Sequence, residues 1–178
     1  MANLDPWSYA AKTRSEHAEQ VALFMWANMA KLYGPIIADD PHSYNVRGFA
    51  KTQFENAGKL GYKIYSAPMH ELKWLHAISN HGAGFGRKAE GVKKGVADIF
   101  LPVPMWRAGA HNGAYPGHWQ HGLYIELKRL DGEGKKAGVA SQEQIDFQTY
   151  ARSVGYAHEI IFGWELARDC ILRYCGRS

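Results

Sequence analysis

Three residues in one stretch have the types and spacing for phosphodiester chemistry. Between Gly91 and Lys128 the chain runs GVKKGVADIFLPVP, then a loop rich in glycine and histidine, then GLYIELKRL. Asp98 lies in the first apolar run. Glu126 and Lys128 lie two apart in the second, so in an extended strand they project from the same face. Two carboxylates on neighbouring strands can hold a hard divalent cation through oxygen, and a lysine beside them can orient or help deprotonate an attacking water. An isolated set of this kind more often marks a strand end and a surface ladder. The flanks argue against that here: Val96, Ile99, Phe100 and Leu101 surround the aspartate, and Leu123, Tyr124, Ile125 and Leu127 surround the glutamate. Both runs predict central strands buried on both faces, where a charge is costly unless it is paired or binds metal.

The elements that must position these residues can be read in order. Thr13-Arg14-Ser15-Glu16 has the form of a capping box, threonine at the cap and glutamate three on. It predicts a helix over about Ser15–Tyr33, with Val21, Phe24, Met25, Trp26, Met29 and Leu32 along it and Gly34-Pro35 ending it. Met1–Lys12 reads as an arm before this helix. Pro35–Lys73 is less patterned and reads as an insert: Asp39-Asp40-Pro41 is turn chemistry, and Phe49–Leu60 suits a short helix. Its aromatic and basic residues suit either nucleic acid or packing on the insert's own core. Trp74–Ser79 predicts the first core strand, followed by Asn80–Gly86 with three glycines in five residues. Arg87, Lys88, Lys93 and Lys94 then form a basic rim before Asp98; with Arg129, they are the candidate DNA contacts.

Pro102 and Pro104 end the aspartate strand, and Met105–His121 reads as a long loop. Its His111, His118 and His121 match no compact zinc motif, so a zinc loop is a minor alternative. Asp131–Lys136 is an exposed turn. Ser141 caps a helix over Gln142–Val154, with Ile145, Phe147, Tyr150, Ala151 and Val154 as its apolar positions. Gly155-Tyr156 closes that helix, Ala157–Phe162 is a strand, and Trp164–Tyr174 is the last helix, with Trp164, Ala167, Ile171 and Leu172 inward. The order predicts a three-layer α/β arrangement with a mixed central sheet.

At 178 residues the length suits a single domain, and an apolar content of 46% supports a real core. A formal net charge of +4 and a pI near 9.0 favour a polyanionic partner. No apolar run is long enough to span a bilayer and no export pattern opens the chain, which points to the cytoplasm. Cys170 and Cys175, five apart on one predicted helix, face different directions and suit neither a local disulfide nor a zinc pair.

Taken together, G-V-x-x-G-V-A-D-I-x-L-P, G-L-Y-I-E-L-K-R, S-Q-E-Q, G-Y and G-W-E-L-A resemble, in that order, the VRR-NUC family, a phage and prophage branch of the PD-(D/E)xK nucleases. The resemblance covers roughly Leu75–Tyr174, with a weaker match at the first helix. It departs from the family at Ala97, where a proline is usual before the aspartate, and at Ser79, where Pro-Asn is usual. It implies a restriction-endonuclease-like fold, with a mixed central β-sheet flanked by helices, and a Mg²⁺- or Mn²⁺-dependent nuclease acting on DNA. Asp98, Glu126 and the Leu127 carbonyl would then be metal ligands and Lys128 the water-positioning group. Gln144 would hold the water or a phosphate oxygen. A first-helix glutamate would reach the metal, Glu16 or Glu19, with Glu16 favoured. A homodimer and a junction, flap or nick substrate are compatible with the resemblance, and a phage-encoded chain would act in the host cytoplasm. The alternative is a nucleic-acid-binding or structural phage component that keeps the fold without turnover.

Overall fold

Helix α1, Glu16–Tyr33, starts at Ser15, whose extended backbone lets its hydroxyl accept from the Ala18 N–H at 3.1 Å. The cap is therefore Ser15 and not Thr13. The residue three beyond it is alanine, no capping box forms, and Glu16 becomes the first helical residue. The helix ends at Gly34, which takes φ +87° and returns its N–H to the Ala30 carbonyl, a left-handed turn that favours glycine. Ala18, Ala22, Leu23, Trp26, Ala27, Met29 and Ala30 form the buried stripe, while Leu32 turns outward.

The computed structural model describes residues 10, 15–34, 36–37, 63–64, 68–78, 93–109, 116–130 and 137–177. The chain divides into two units, Met1–Lys73 and Trp74–Ser178. In the first, α1 is followed by β1 (Ile36–Ile37), paired antiparallel with β2 (Lys63–Ile64), and Met69 donates its N–H to the Ala30 carbonyl. A 3₁₀ helix, His70–Trp74, runs into the second unit. The expected arm apart from Ala10, the Phe49–Leu60 helix, the glycine loop Asn80–Gly86, Arg87, Lys88, His111 and the Asp131–Lys136 turn lie outside the described residues.

The second unit holds β3 (His76–Ala77), β4 (Ile99–Leu101), β5 (Met105–Arg107), β6 (His118–Gln120), β7 (Leu123–Lys128), α2 (Gln142–Ser153), β8 (Ala157–Phe162) and α3 (Trp164–Tyr174). The main sheet has the order β3-β4-β7-β8; β3 and β7 run antiparallel to β4, and β8 runs parallel to β7. The sheet is therefore mixed, and β7, α2 and β8 form a βαβ unit.

Register shows the layers. Across β7 and β8, Tyr124 pairs with His158 and Glu126 with Ile160 on one face, and Leu123 pairs with Ala157 and Leu127 with Ile161 on the other. Phe147 of α2 packs edge-on against both Tyr124 and His158, which puts α2 on the first face. Leu166, Cys170 and Tyr174 of α3 line a 540 Å³ cavity together with Leu123, Ala157 and Ile161, which puts α3 on the second. The unit is the three-layer α/β arrangement with a mixed central sheet that the element order predicted.

Three expectations change. Trp74 closes the 3₁₀ helix, and among the described residues the strand expected over Trp74–Ser79 comprises two exposed residues, His76 and Ala77, at the sheet edge beside β4. The stretch Met105–His121 is not a plain loop: β5 and β6 pair antiparallel in a ribbon of their own. Strands of three residues are too short for an alternation to stand out among so many glycines and histidines. On α2, Ile145, Tyr150 and Val154 are exposed and Ala151 is buried, because part of its inner face is polar: Gln148 and Arg152 bond to the His158 carbonyl.

Candidate active site

The pairing of Ile99 with Ile125 carries Asp98 opposite Glu126, on the face covered by α2. Asp98 sits in a bend just before β4, and its Oδ2 accepts the Leu127 backbone N–H at 3.0 Å. The side chain thus satisfies a backbone donor of the interior strand β7, which fixes the carboxylate beside Glu126. In an extended strand the N–H and carbonyl of one residue point the same way, so the Leu127 carbonyl also turns toward the Asp98 side.

Glu126 is 1% exposed and Lys128 6%. Two residues apart on β7, they share a face, and the Lys128 ammonium donates to Glu126 Oε1 at 2.6 Å. The same oxygen accepts from the Gln144 side-chain amide. Glu126 Oε2 is buried and has no hydrogen-bond partner among the described residues. The carboxyl pKa is raised from 4.5 to about 7, first by burial and then by the Asp98 charge, against the opposing pull of Lys128. The cluster therefore has one carboxylate oxygen held by two donors, the other without one among the described residues, and a like charge nearby, an arrangement relieved by a proton or a cation.

Gln144 does two jobs. It sits three residues after the cap Ser141, its N–H donates to Ser141 Oγ, and its Oε1 accepts the Ser141 N–H at 2.8 Å, completing a capping box. Its remaining amide group is free to hold Glu126. One side chain therefore ties the start of α2 to the glutamate, which combines the cap role with the site role.

The basic rim reaches the same corner. Lys93 and Lys94 are exposed, and Gly95, at φ +82°, lies so close to the Glu143 backbone that a Cβ there would clash at 2.7 Å. Lys94 helps hold the Glu143 carboxyl below its usual range, behind the larger effect of hydrogen bonds to its backbone and to Ser141. Arg129, just past β7, is half-buried. Glu16 and Glu19 belong to the first unit: Glu16 is exposed, whereas Glu19 is buried, so only Glu19 stands where a carboxylate needs a compensating interaction.

A hard cation fits the donor set of Asp98 and Glu126, since both offer oxygen and Glu126 Oε2 has no donor of its own. Among the described residues no group of three or more His, Cys, Asp or Glu side chains is gathered for a metal, so the side-chain donors are these two. Sequence reasoning missed His158. It is fully buried on β8 against Tyr124 and Phe147, neither ring nitrogen has a partner among the described residues, and burial, then Arg152, lowers its pKa to about 4. Its only signal in the sequence is a histidine inside the apolar run AHEIIF. Among the described residues no helix is long and apolar enough to cross a membrane.

No family model matches the sequence, and no curated protein matches it. A solved structure named "VRR_NUC domain protein" is similar to the chain at 18% identity, over 92% of this chain and 90% of that one, with a TM-score of 0.49. That likeness is too distant to assign the chain a family or an activity, and the Asp98, Glu126, Lys128 and Gln144 cluster stands on its own geometry.

Proposed function

We propose that the chain is a divalent-metal-dependent nuclease that hydrolyses phosphodiester bonds in DNA. The observation that carries the reading is the buried glutamate: Glu126 has one oxygen held by Lys128 and Gln144, the other without a donor among the described residues, and the Asp98 charge beside the group. A purely structural ion pair would not need a second carboxylate pressed against it. Asp98 and Glu126, with the Leu127 carbonyl, would hold Mg²⁺ or Mn²⁺. When bound, such an ion polarises a phosphoryl oxygen and makes water more acidic. Lys128 favours the ionised form of Glu126 against the effect of burial, and would place a positive charge where an attacking water loses its proton and where negative charge grows on the phosphorane oxygens. Gln144 fixes the carboxylate that Lys128 serves. Lys93 and Lys94 supply an exposed basic edge for the phosphate backbone.

The test is incubation of the full chain and its Asp98→Asn variant with supercoiled, linear, single-stranded, flap and four-way-junction DNA, in Mg²⁺, Mn²⁺ or chelator. Cleavage that needs metal and disappears in the variant supports the assignment. Full activity of Asp98→Asn overturns it. Binding without cleavage under every metal condition would make the chain a non-catalytic nucleic-acid-binding component instead.

A further inference from the structure

The β5–β6 ribbon carries two tryptophans that core packing does not explain. Trp106 and Trp119 are direct cross-strand partners, 52% and 54% exposed, with ring centroids 5.5 Å apart and planes at 65°. Large aromatic side chains normally bury most of their surface, so an exposed pair at one spot calls for a ligand. The ribbon is held rigidly from behind. Arg107, which points to the opposite face, donates to Gln120 Oε1 at 2.6 Å and to the Tyr174 carbonyl at 2.9 Å, and its guanidinium lies 4.7 Å from the centre of the Tyr174 ring. Tyr174 in turn donates its hydroxyl to the Val103 carbonyl. Trp106 lies over Gly117, where any Cβ would run into the indole. The rings are thus presented outward on a support fixed to α3.

Composition indicates what they present to. From Pro102 to Gly122 the chain has no aspartate or glutamate, and it carries Arg107 and three histidines. Among the described residues of the ribbon, the exposed apolar surface is the two indoles flanked by Pro104, Ala108, Pro116 and His118. Among these described residues the patch has no exposed Leu, Ile, Val or Met beside the indoles, the aliphatic centre on which a stable protein interface is built. Two exposed indoles suit nucleobases, which stack on aromatic faces whatever their sequence, next to a surface that does not repel phosphate. The ribbon rises from the paired residues Leu101 and Leu123, and Asp98 and Glu126 lie three residues further along the same strands, roughly 10 Å away.

We propose that Trp106 and Trp119 form a stacking platform for unpaired bases, so that the DNA taken by this chain has single-stranded character a few nucleotides from the bond to be cut. This rests on the nuclease reading above and specifies its substrate class. In continuous duplex the base faces are already stacked on one another and the platform gains nothing.

The experiment measures equilibrium binding in chelator, where no cleavage occurs, of a 20-nucleotide oligo-dT and a 20-bp blunt duplex to the full chain. The proteins are wild type, Trp106→Ala, Trp119→Ala, the double alanine variant, and Trp119→Tyr, which keeps a stacking face. The proposal expects each alanine variant to lose about tenfold in single-strand affinity, with duplex affinity within twofold of wild type and Trp119→Tyr close to wild type on both. Single-strand affinity unchanged in the double variant overturns the platform while leaving the nuclease reading intact. Equal losses on single strand and duplex also overturn it, as does concentration-dependent self-association that the double variant abolishes, since the rings would then cover a second copy. Wild-type protein that binds neither DNA overturns this proposal, while the nuclease reading stands or falls on the cleavage panel with Asp98→Asn.

Discussion

Replacing Glu126 by glutamine should stabilise the metal-free protein at high pH, and the size of the gain follows from the site. Glutamine keeps an amide oxygen where Oε1 now accepts from Lys128 and Gln144, and it puts an N–H donor in place of Oε2, which has no donor among the described residues. In the wild-type protein the Glu126 pKa rises from 4.5 to about 7 on folding. Between those values the folded state therefore holds more protons than the unfolded chain. Stability from this group is fully present below pH 4.5 and falls as pH rises through 7. At about 1.36 kcal/mol per pKa unit, discounted for screening, the ionised glutamate costs roughly 1–3 kcal/mol at pH 8. Urea unfolding of both proteins in chelator at pH 5, 6, 7 and 8 measures it. The variant should be more stable by roughly 1–3 kcal/mol at pH 8, and by less than about 1 kcal/mol at pH 5. His158 titrates in both proteins, and its contribution cancels in the difference. Adding Mn²⁺ at pH 8 should raise the wild-type midpoint through preferential binding to the folded state and leave the variant's nearly unmoved. A difference that does not change with pH, or a wild type that is the more stable at pH 8 in chelator, would refute the reasoning.

Lys128→Met should keep Mn²⁺ affinity within a few-fold while cleavage at saturating metal is lost; calorimetric titration beside a cleavage assay separates the two, and a normal rate at saturating metal would remove the lysine from the chemical step. Replacing Lys93 and Lys94 together by alanine should weaken binding to all DNA sequences alike. It should also lower the slope of log affinity against log salt by roughly one for each phosphate no longer neutralised, measured on Asp98→Asn protein in Ca²⁺. An unchanged slope would leave these lysines as a solvated face. His158→Phe should be neutral to stabilising at pH 7.5, because it removes two buried nitrogens without partners among the described residues. The histidine pKa falls from 6.5 to about 4 on folding, so wild-type stability from this group is present above 6.5 and lost as pH falls through 4. Thermal melts at pH 4 and 7.5 should therefore show the phenylalanine variant losing less on acidification, and equal losses would count against the buried neutral imidazole.

The sequence alone determined the order β4, β7, α2, β8, α3 within the second unit, because those segments carry strong local signals. Leu123–Lys128 is nearly all apolar around its two charges, Ser141 stands before a polar first turn, and Ala157–Phe162 and Trp164–Tyr174 are separated by a glycine that takes φ +85°. Alternation also determined that Glu126 and Lys128 share a face. Tertiary structure alone decided what that face does. The Ile99–Ile125 register sets Asp98 against Glu126, and burial then lifts the glutamate pKa, an effect that depends on what surrounds the group and not on its neighbours in the chain. Gln144 illustrates the division: its spacing from Ser141 marks a cap, but its second bond, to a residue eighteen positions earlier, needs the β7–α2 packing. Trp106 and Trp119 were illegible for the same reason. Thirteen residues apart in a stretch of glycine and histidine, they become neighbours only when the ribbon pairs, and their outward facing is set by Arg107 binding the other side to α3.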